Sequence, residues 1–236
     1  MDRRTRKDLK SDKFALEVQH GFEFITDHKQ EAIRYGGTAV AVLLLAAGIY
    51  FYRSHQLNAR QDALAAAMRI DNATVGNGPV QQAGALHYKT EQEKQAAEDK
   101  AMSDLAAKYD GTDQGATAEF YLASNAADKG NLAEAEKRFK HLVDSAPAPY
   151  ASIAKLSLSL VYESQGKDEQ AEALLRDLMA HPTVTVSKGE AQLRLAALLG
   201  HKNPDEARKM LEAMRTDRPA LSRAAVQELG DLSNSK

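Results

Sequence analysis

The chain has 236 residues, and its 31 Lys and Arg against 33 Asp and Glu give a formal net charge of −2. A general nucleic-acid binder needs a basic surface that displaces counterions, so this balance argues against that class. The absence of Cys excludes disulfides, Cys-ligated zinc and thiol chemistry. Aromatic residues make up only 6%, and the abundance of Ala, Leu, Glu and Lys favours helices.

The first segment, residues 1–35, begins with 13 highly charged residues that we expect to be disordered. Apolar residues then recur at helical spacing, at Phe14, Val18, Phe22 and Ile25. This pattern predicts an amphipathic helix. The helix could lie along the inner surface of a membrane, or it could dock a cytoplasmic partner.

An uncharged run follows at residues 36–52 and ends in Tyr50, Phe51 and Tyr52. As a helix it would extend roughly 26 Å, close to the ~30 Å hydrocarbon core of a bilayer. A buried core helix and a cleaved signal peptide are the alternatives. The length of the uncharged run disfavours the first, and the long, partly acidic segment before it disfavours the second. We predict an uncleaved transmembrane helix flanked by interfacial aromatic residues.

The distribution of basic residues predicts the orientation of this helix. Residues 1–35 carry eight Lys and Arg, whereas residues 53–72 carry three. Because basic residues are retained on the cytoplasmic side, the N-terminus is predicted to be cytoplasmic. If the source is a Gram-negative bacterium, the expected location is the bacterial inner membrane, with a single pass and a periplasmic C-terminal domain.

Residues 53–110 are interpreted as a linker and an imperfect first helical hairpin. Its first helix is expected at about 54–70, continuous with the membrane helix, and its second at about 91–109. Residues 71–90 contain Gly and Pro and predict a loop insertion between these helices.

Residues 111–236 contain an internal repeat with a period of 36. Equivalent positions hold a small residue, then two large apolar residues, in each of three units: Ala135, Phe139 and Leu142; Ala171, Leu175 and Leu178; Ala207, Leu211 and Met214. Gly130 and Gly166 repeat at the same spacing, and a proline follows each unit at Pro147, Pro182 and Pro219. The pattern predicts helical hairpins in which the small residue permits close approach of two helices.

The first helix of each hairpin is expected at about 116–129, 150–165 and 187–200. The second helix begins with a capping box in two units, where Asn131 precedes Glu134 and Asn203 precedes Glu206. A last helix, at about 220–231, would cap the stack.

These offsets resemble the tetratricopeptide repeat, although Glu119 and Lys155 stand where that repeat usually has an aromatic residue. The predicted fold is all-α: a single N-terminal transmembrane helix followed by a tetratricopeptide-like α-solenoid of helical hairpins.

The segment GIYFYRSHQLNARQDALAAA, residues 48–67, combines an aromatic membrane exit, a basic residue and an Ala-rich helix. It resembles the YfgM-type family of ancillary subunits of the bacterial SecYEG translocon, which have a tetratricopeptide-like periplasmic domain. This chain has Tyr50, Phe51 and Tyr52 at the exit and no Trp. The resemblance implies association with the SecYEG translocon and with periplasmic folding factors.

The sequence offers no pattern for catalysis. No two of the seven His are spaced as a helical metal pair, and there is no Gly-rich phosphate loop or nucleophile elbow. We therefore predict a non-enzymatic protein without a metal, a cofactor or a small-molecule substrate.

What remains is a binding surface on the first helices of the hairpins, which line the concave groove in tetratricopeptide arrays. The register places eight residues there as the candidate partner-binding groove: Phe120, Ser124, Asp128, Ile153, Leu156, Leu160, Glu163 and Leu193. Leu156, Leu158 and Leu160 point to different faces of one helix, so a second apolar face needs cover. The cover could come from within the chain or from a partner.

We expect a membrane-anchored scaffold at the translocon that binds periplasmic chaperones or translocating clients, with membrane lipid around its anchor. Two alternatives are open. The N-terminal segment could sequester a cytoplasmic factor in a signalling or envelope-stress regulator, or the repeats could serve cell-envelope assembly or division.

Overall fold

The computed structural model describes residues 29–76, 86–200, 202–217 and 219–234. The chain separates into two compact units, with the boundary between residues 59 and 60. The amphipathic helix predicted from Phe14 to Ile25 lies outside the described residues. Nine helices form almost all of the described chain: α1 Lys29–Asp71, α2 Glu91–Lys108, α3 Asp113–Asp128, α4 Leu132–Ser145, α5 Ala148–Ser164, α6 Asp168–Ala180, α7 Lys188–Leu199, α8 Pro204–Asp217 and α9 Pro219–Asn234.

Helix α1 contains the predicted span within 43 continuous helical residues. By length and composition it could cross a membrane, and none of its most apolar window is buried. A core helix of a soluble protein would be covered by its own chain, whereas Leu43, Leu44 and Leu45 are each at least 67% exposed. The helix is therefore compatible with a single-pass membrane anchor.

The segment between α1 and α2, predicted as a loop, also contains two short parallel strands, β1 Thr74–Val75 and β2 His87–Tyr88. Thr74 is the partner of His87, and their side chains approach to 2.9 Å between Oγ1 and Nδ1. Strands of two residues are too short to show an alternating pattern, so they could not be predicted. Helix α2 then begins after Thr90, whose side chain accepts a hydrogen bond from the Glu93 amide at 3.1 Å.

The repeat positions form the core of the three hairpins. The large apolar residues of the repeat are each no more than 2% exposed: Phe139, Leu142, Leu175, Leu178, Leu211 and Met214. The small residues, Ala135, Ala171 and Ala207, are no more than 1% exposed. The period of 36 therefore corresponds to one helical hairpin, as predicted, and we call α3, α5 and α7 the A helices and α4, α6 and α8 the B helices.

The turns inside the hairpins explain the repeated glycine. Gly130 and Gly166 adopt φ angles of +75° and +70°, a left-handed conformation that L side chains rarely take. The predicted caps also form, since Asn131 accepts from the Glu134 amide at 3.4 Å and Asn203 from the Glu206 amide at 3.3 Å. These local signals place each B helix directly after its A helix.

The last helix, α9, packs against α8 and the end of α7. Leu232 is buried there, with its Cδ2 atom 2.6 Å from the position that a Cβ atom on Gly200 would occupy. Gly200 thus permits the close approach of α9. The predicted all-α stack of tetratricopeptide-like hairpins is confirmed, including the terminal helix expected over 220–231.

Candidate functional site

The charged residues at the aromatic position of the repeat face the B helices. Glu119 of α3 accepts two hydrogen bonds from Nη1 of Arg138, at 3.1 and 2.9 Å. The equivalent Lys155 of α5 lies 2.5 Å from Asp177 of α6. These hydrogen bonds join the A helix to the B helix of the same hairpin. They explain how a charged residue replaces an aromatic one without exposing the core.

The hydrogen bond from Lys155 lowers the pKa of Asp177 below its usual value, and a second hydrogen bond from His181 acts in the same direction. Asp177 therefore stays ionised while it holds α6 to α5. Lys155 is ion-paired inside the hairpin, so its charge does not contribute to the predicted groove.

Four of the eight predicted groove residues are apolar and half-buried. Phe120, Ile153, Leu156 and Leu193 pack against the core cluster of the hairpins. The Phe120 ring meets the Phe139 ring edge to face, with centroids 5.5 Å apart. Each of these side chains therefore lies partly in the core and partly at the surface of the A helices.

Three further groove residues come together at one cavity. Ser124 and Asp128 of α3 and Leu160 of α5 line a cavity of about 240 Å³ between the C-terminal halves of these two helices, which we call the α3–α5 cavity. Buried Phe139 also lines it. Leu160 is 41% exposed, which makes it a large apolar side chain open to solvent beside a recess lined by both apolar and polar side chains.

Two hydroxyl groups of this cavity were not predicted from the sequence. Ser157 and Ser164 of α5 line it together with Leu132 of α4. Ser157 precedes Leu160 by three positions and Ser164 follows it by four, which places all three on the same face of the helix. This spacing is the signal that could have predicted them.

The eighth groove residue, Glu163, forms an ion pair with Arg194 of α7. This pair joins the second A helix to the third. The Glu163 carboxylate is thus already paired with a cation within the chain. Of the eight predicted residues, four are half-buried beside the core, three line the α3–α5 cavity and one forms a salt bridge.

A larger cleft of about 400 Å³ lies on the side of the B helices, between α2 and α4. Most of its charged groups pair with one another: Arg138 with Glu119 and Glu134, and His141 with Asp110 at 3.1 Å. Lys137 lines the cleft without an ion-pair partner among the described residues, so the cleft presents acidic and basic groups together and no single sign of charge.

One polar group in the described chain has the composition of a catalytic triad. Asp110 lies 3.1 Å and Ser145 lies 3.4 Å from the same nitrogen of His141, Nε2. A triad needs the acid and the nucleophile on opposite ring nitrogens, so this arrangement cannot relay a proton. The three side chains instead join the turn after α2 to the end of α4. Among the described residues, no group of three or more His, Asp or Glu could hold a metal ion.

The fold and the repeat agree with the comparison with known families. A family model described as Tetratricopeptide repeat-like domain matches residues 33–180, more than half of the chain. The chain belongs to the tetratricopeptide repeat-like domain family. No curated protein and no solved structure matches it.

The match to the tetratricopeptide repeat-like family begins in the first turns of α1, three residues before the uncharged run, and ends with α6. Helices α7 and α8 lie beyond it, yet they keep the repeat positions Leu211 and Met214 in the core. Domains of this family are typically non-catalytic scaffolds that bind other proteins. Among the described residues, the α3–α5 cavity with exposed Leu160 is one surface feature that suits such a role.

Proposed function

We propose that the protein is a membrane-anchored scaffold that binds a protein segment across its A helices, with Leu160 and the α3–α5 cavity as the contact point. The observation that carries the proposal is the exposure of Leu160 beside that cavity. The chain's own terminal helix, α9, packs on α8 and α7, so Leu160 is left open to solvent. Exposed apolar side chains next to a recess are typical of protein-binding sites.

Helix α1 would serve as the anchor, with a cytoplasmic N-terminus and the hairpins in the periplasm. The excess of basic residues before the apolar run supports this orientation. Holding the hairpins at the membrane raises their effective concentration near membrane-bound partners, so a weak contact suffices. Protease added outside spheroplasts should digest residues 60–236. Digestion only from the cytoplasmic side would reverse the orientation.

We further propose that the scaffold works at the SecYEG translocon, where it would hold a periplasmic chaperone or a translocating client. The support is the resemblance of residues 48–67 to the YfgM-type family. The test is a photo-crosslinking amino acid placed in cells at Phe120, Leu156, Leu160 and Leu193, with the captured proteins identified by mass spectrometry.

Capture of translocon subunits or periplasmic folding factors at Leu160, the most exposed of these positions, is the expected result. Exposed Glu169 on α6 provides a control position on a B helix. Silence at all four groove positions, with capture at Glu169, would discard the groove as the docking site. Capture only of unrelated envelope proteins would leave the scaffold in place and reject the translocon.

A second candidate function places the partner on the other side of the membrane. The apolar face of Phe14, Val18, Phe22 and Ile25 supports a regulator that sequesters a cytoplasmic factor. Deletion of residues 1–30 separates the two functions. The scaffold should retain its crosslinks through Leu160, whereas the regulator should lose its effect in cells.

A further inference from the structure

The A helices carry an unbalanced charge that the ion pairs of the chain do not neutralise. Of their three basic residues, Lys155 pairs with Asp177 of a B helix and Arg194 pairs with Glu163. Only Lys188, in the first turn of α7, is left without an ion-pair partner among the described residues. Three acidic residues of the A helices also have no ion-pair partner among the described residues: Asp113, Asp128 and Glu190. The surface of the A helices is therefore net acidic.

One of these acids, Asp128, lies at the α3–α5 cavity. It is the last residue of α3, it is exposed, and it lines the cavity together with Leu160. The nearest basic residue in sequence, Lys129, is directed to Asp99 of α2, with 3.4 Å between Nζ and Oδ2. The carboxylate of Asp128 thus has no cation partner among the described residues.

The helix ends around the cavity add to this negative charge. The cavity is lined by Ser124, Ala127 and Asp128 at the end of α3 and by Leu160, Val161 and Ser164 at the end of α5. Both helices therefore present their C-terminal ends there. A helix C-terminus carries a partial negative charge and favours a nearby cation.

The size and lining of the cavity define the apolar part of its ligand. A volume of about 240 Å³ is below the range of roughly 300–1,000 Å³ that is usual for small-molecule sites. It suits a single large side chain, such as Leu or Phe, resting on Phe139 and against Leu160.

We propose that the α3–α5 cavity binds a basic, apolar protein segment: one Leu or Phe side chain enters the cavity, and a neighbouring Lys or Arg pairs with Asp128. This inference rests on the proposed function and specifies its partner. An acidic segment would meet Asp128 and two helix C-termini of like charge, so it is excluded as a ligand. Charge selection of this kind contributes to partner choice as well as to affinity.

The test uses the full-length protein in detergent and three short fluorescent peptides of otherwise identical Ala- and Ser-rich sequence. The first carries a Leu flanked by two Lys, the second has Glu in place of both Lys, and the third keeps the Lys but has Ser in place of Leu. Fluorescence anisotropy should show the Lys–Leu peptide binding at least about tenfold more tightly than the other two. Its binding should weaken as salt rises and the charges are screened.

The matched variants are Asp128→Lys and Asp144→Lys. Both acids are exposed and lie in the last turn of a helix, but Asp144 is on α4, outside the cavity. Asp128→Lys should weaken the Lys–Leu peptide by about fivefold to tenfold, since each exposed ion pair contributes up to about fivefold. The same variant should improve binding of the Glu–Leu peptide, a gain that a structural defect would not produce. Asp144→Lys should change neither peptide.

Equal binding of the Lys–Leu and Glu–Leu peptides, with no response to Asp128→Lys, would overturn the charge selection and leave the docking site intact. An equal loss of Lys–Leu peptide binding in Asp128→Lys and Asp144→Lys would show non-specific attraction of a basic peptide and would also overturn the charge selection. Failure of every peptide to bind, in a protein of normal helical content that still crosslinks through Leu160, would reject this ligand and retain the proposed scaffold.

Discussion

The three hairpins and the junction that precedes them bury different kinds of side chain. In the hairpins, large apolar residues such as Phe139, Leu175 and Leu211 dominate the interior, none of them more than 2% exposed, and the buried hydroxyls of Ser152 and Ser159 donate to backbone carbonyls of their own helix. At the junction of α2 and α3 with the part of α1 that follows residue 60, the apolar cluster is smaller, with Met102, Leu105 and Leu122 as its large buried residues beside two buried alanines. A polar network supplements it.

The network centres on Glu98, a carboxylate that is only 3% exposed. The Tyr121 hydroxyl of α3 lies beside it, close enough for Glu98 to help raise the pKa of Tyr121, and Gln95 donates to the Tyr121 hydroxyl at 3.5 Å. Beside it in α2, Asp99 accepts from Asn125 at 2.8 Å. Oε1 of Glu98 has no hydrogen-bond partner among the described residues.

This contrast predicts which parts of the solenoid tolerate substitution. Apolar cores lose stability in proportion to the buried volume that is removed, whereas a buried polar network depends on every member keeping its partner. We therefore expect the hairpins to respond to side-chain size and the junction to respond to single polar atoms. Since each hairpin contacts mainly its neighbours, these responses should be local.

The largest effect is expected from removing a repeat core residue. Leu175→Ala should lower the free energy of unfolding by about 2–5 kcal/mol, because it removes buried area and leaves a cavity. Urea denaturation of the full-length protein in detergent, followed by circular dichroism, measures this loss. Leu160→Ala, at a 41% exposed position, should lose about 1 kcal/mol or less. Equal losses would show that Leu160 belongs to the core and is not a docking residue.

The junction should be sensitive to an added methyl group at the start of α3. A Cβ atom on Gly115 would lie 2.0 Å from the carbonyl oxygen of Tyr109, a backbone atom that cannot rotate away. Gly115→Ala should therefore cost about 3 kcal/mol by forcing α3 away from the end of α2.

Gly230→Ala provides the matched control for Gly115→Ala in the same denaturation experiment. Gly230 lies in α9 with no atom within 4 Å of the position that a methyl group would occupy, so Ala should raise helix stability by about 0.5–1 kcal/mol. The same Gly-to-Ala substitution should thus lower stability at position 115 and raise it at position 230. A neutral Gly115→Ala would mean that the junction is loosely packed.

The polar network at the junction should be sensitive to the loss of one hydroxyl group. Tyr121→Phe should cost about 2 kcal/mol, because it removes the hydroxyl that accepts from Gln95 and lies beside buried Glu98. Hydrogen exchange should accelerate in α2 and α3 and much less in α6 to α8. Tyr88→Phe, in β2, should change stability by less than about 0.5 kcal/mol. Uniform acceleration along the chain would show one cooperative unit in place of two regions.

The same network predicts alkaline behaviour. Burial, followed by the hydrogen bond to Glu98, raises the pKa of Tyr121 from 10.0 to about 12. The folded state therefore keeps a proton that the unfolded state releases, so this contribution is present below pH 10.0 and is lost as the pH rises toward about 12. Tyrosinate absorbance should show one phenol ionising late, and Tyr121→Phe should remove that phase.

The contrast between the regions also explains how far the sequence could predict the molecule. The repeat cores follow a strict period, so Ala135, Phe139 and Leu142 and their equivalents were predicted with the helices that carry them. The helix ends were predicted from the capping boxes at Asn131 and Asn203 and from the turn glycines. These features are local or periodic, and single-chain patterns record them.

The junction and the details of the site could not be predicted in this way. Glu98 and Tyr121 are 23 positions apart and belong to no repeat, so nothing in the sequence pairs them. The groove residues were predicted by register alone, which could not distinguish half-buried Leu156 from exposed Leu160. Only the packing of neighbouring helices decides that difference, because two faces of one apolar helix look alike in sequence.

The smallest effect is expected from the ion pairs on the surface of the hairpins. Hydrogen bonds from Lys140 and then Lys167 lower the pKa of Glu136 from 4.5 to about 2. Since the folded state holds this carboxylate ionised, its contribution to stability is present above pH 4.5 and is lost as the pH falls toward about 2. Glu136→Gln should lower stability near neutral pH by less than about 1 kcal/mol, as measured by urea denaturation.

The acid dependence of unfolding separates this ion pair from the apolar core. Glu136→Gln should flatten that dependence, whereas Glu169→Gln, at an exposed position of α6, should leave it unchanged. Parallel acid profiles for the parent chain and Glu136→Gln would mean that Lys140 and Lys167 do not hold the carboxylate in solution. In that case the apolar repeat positions alone would account for the stability of the hairpins.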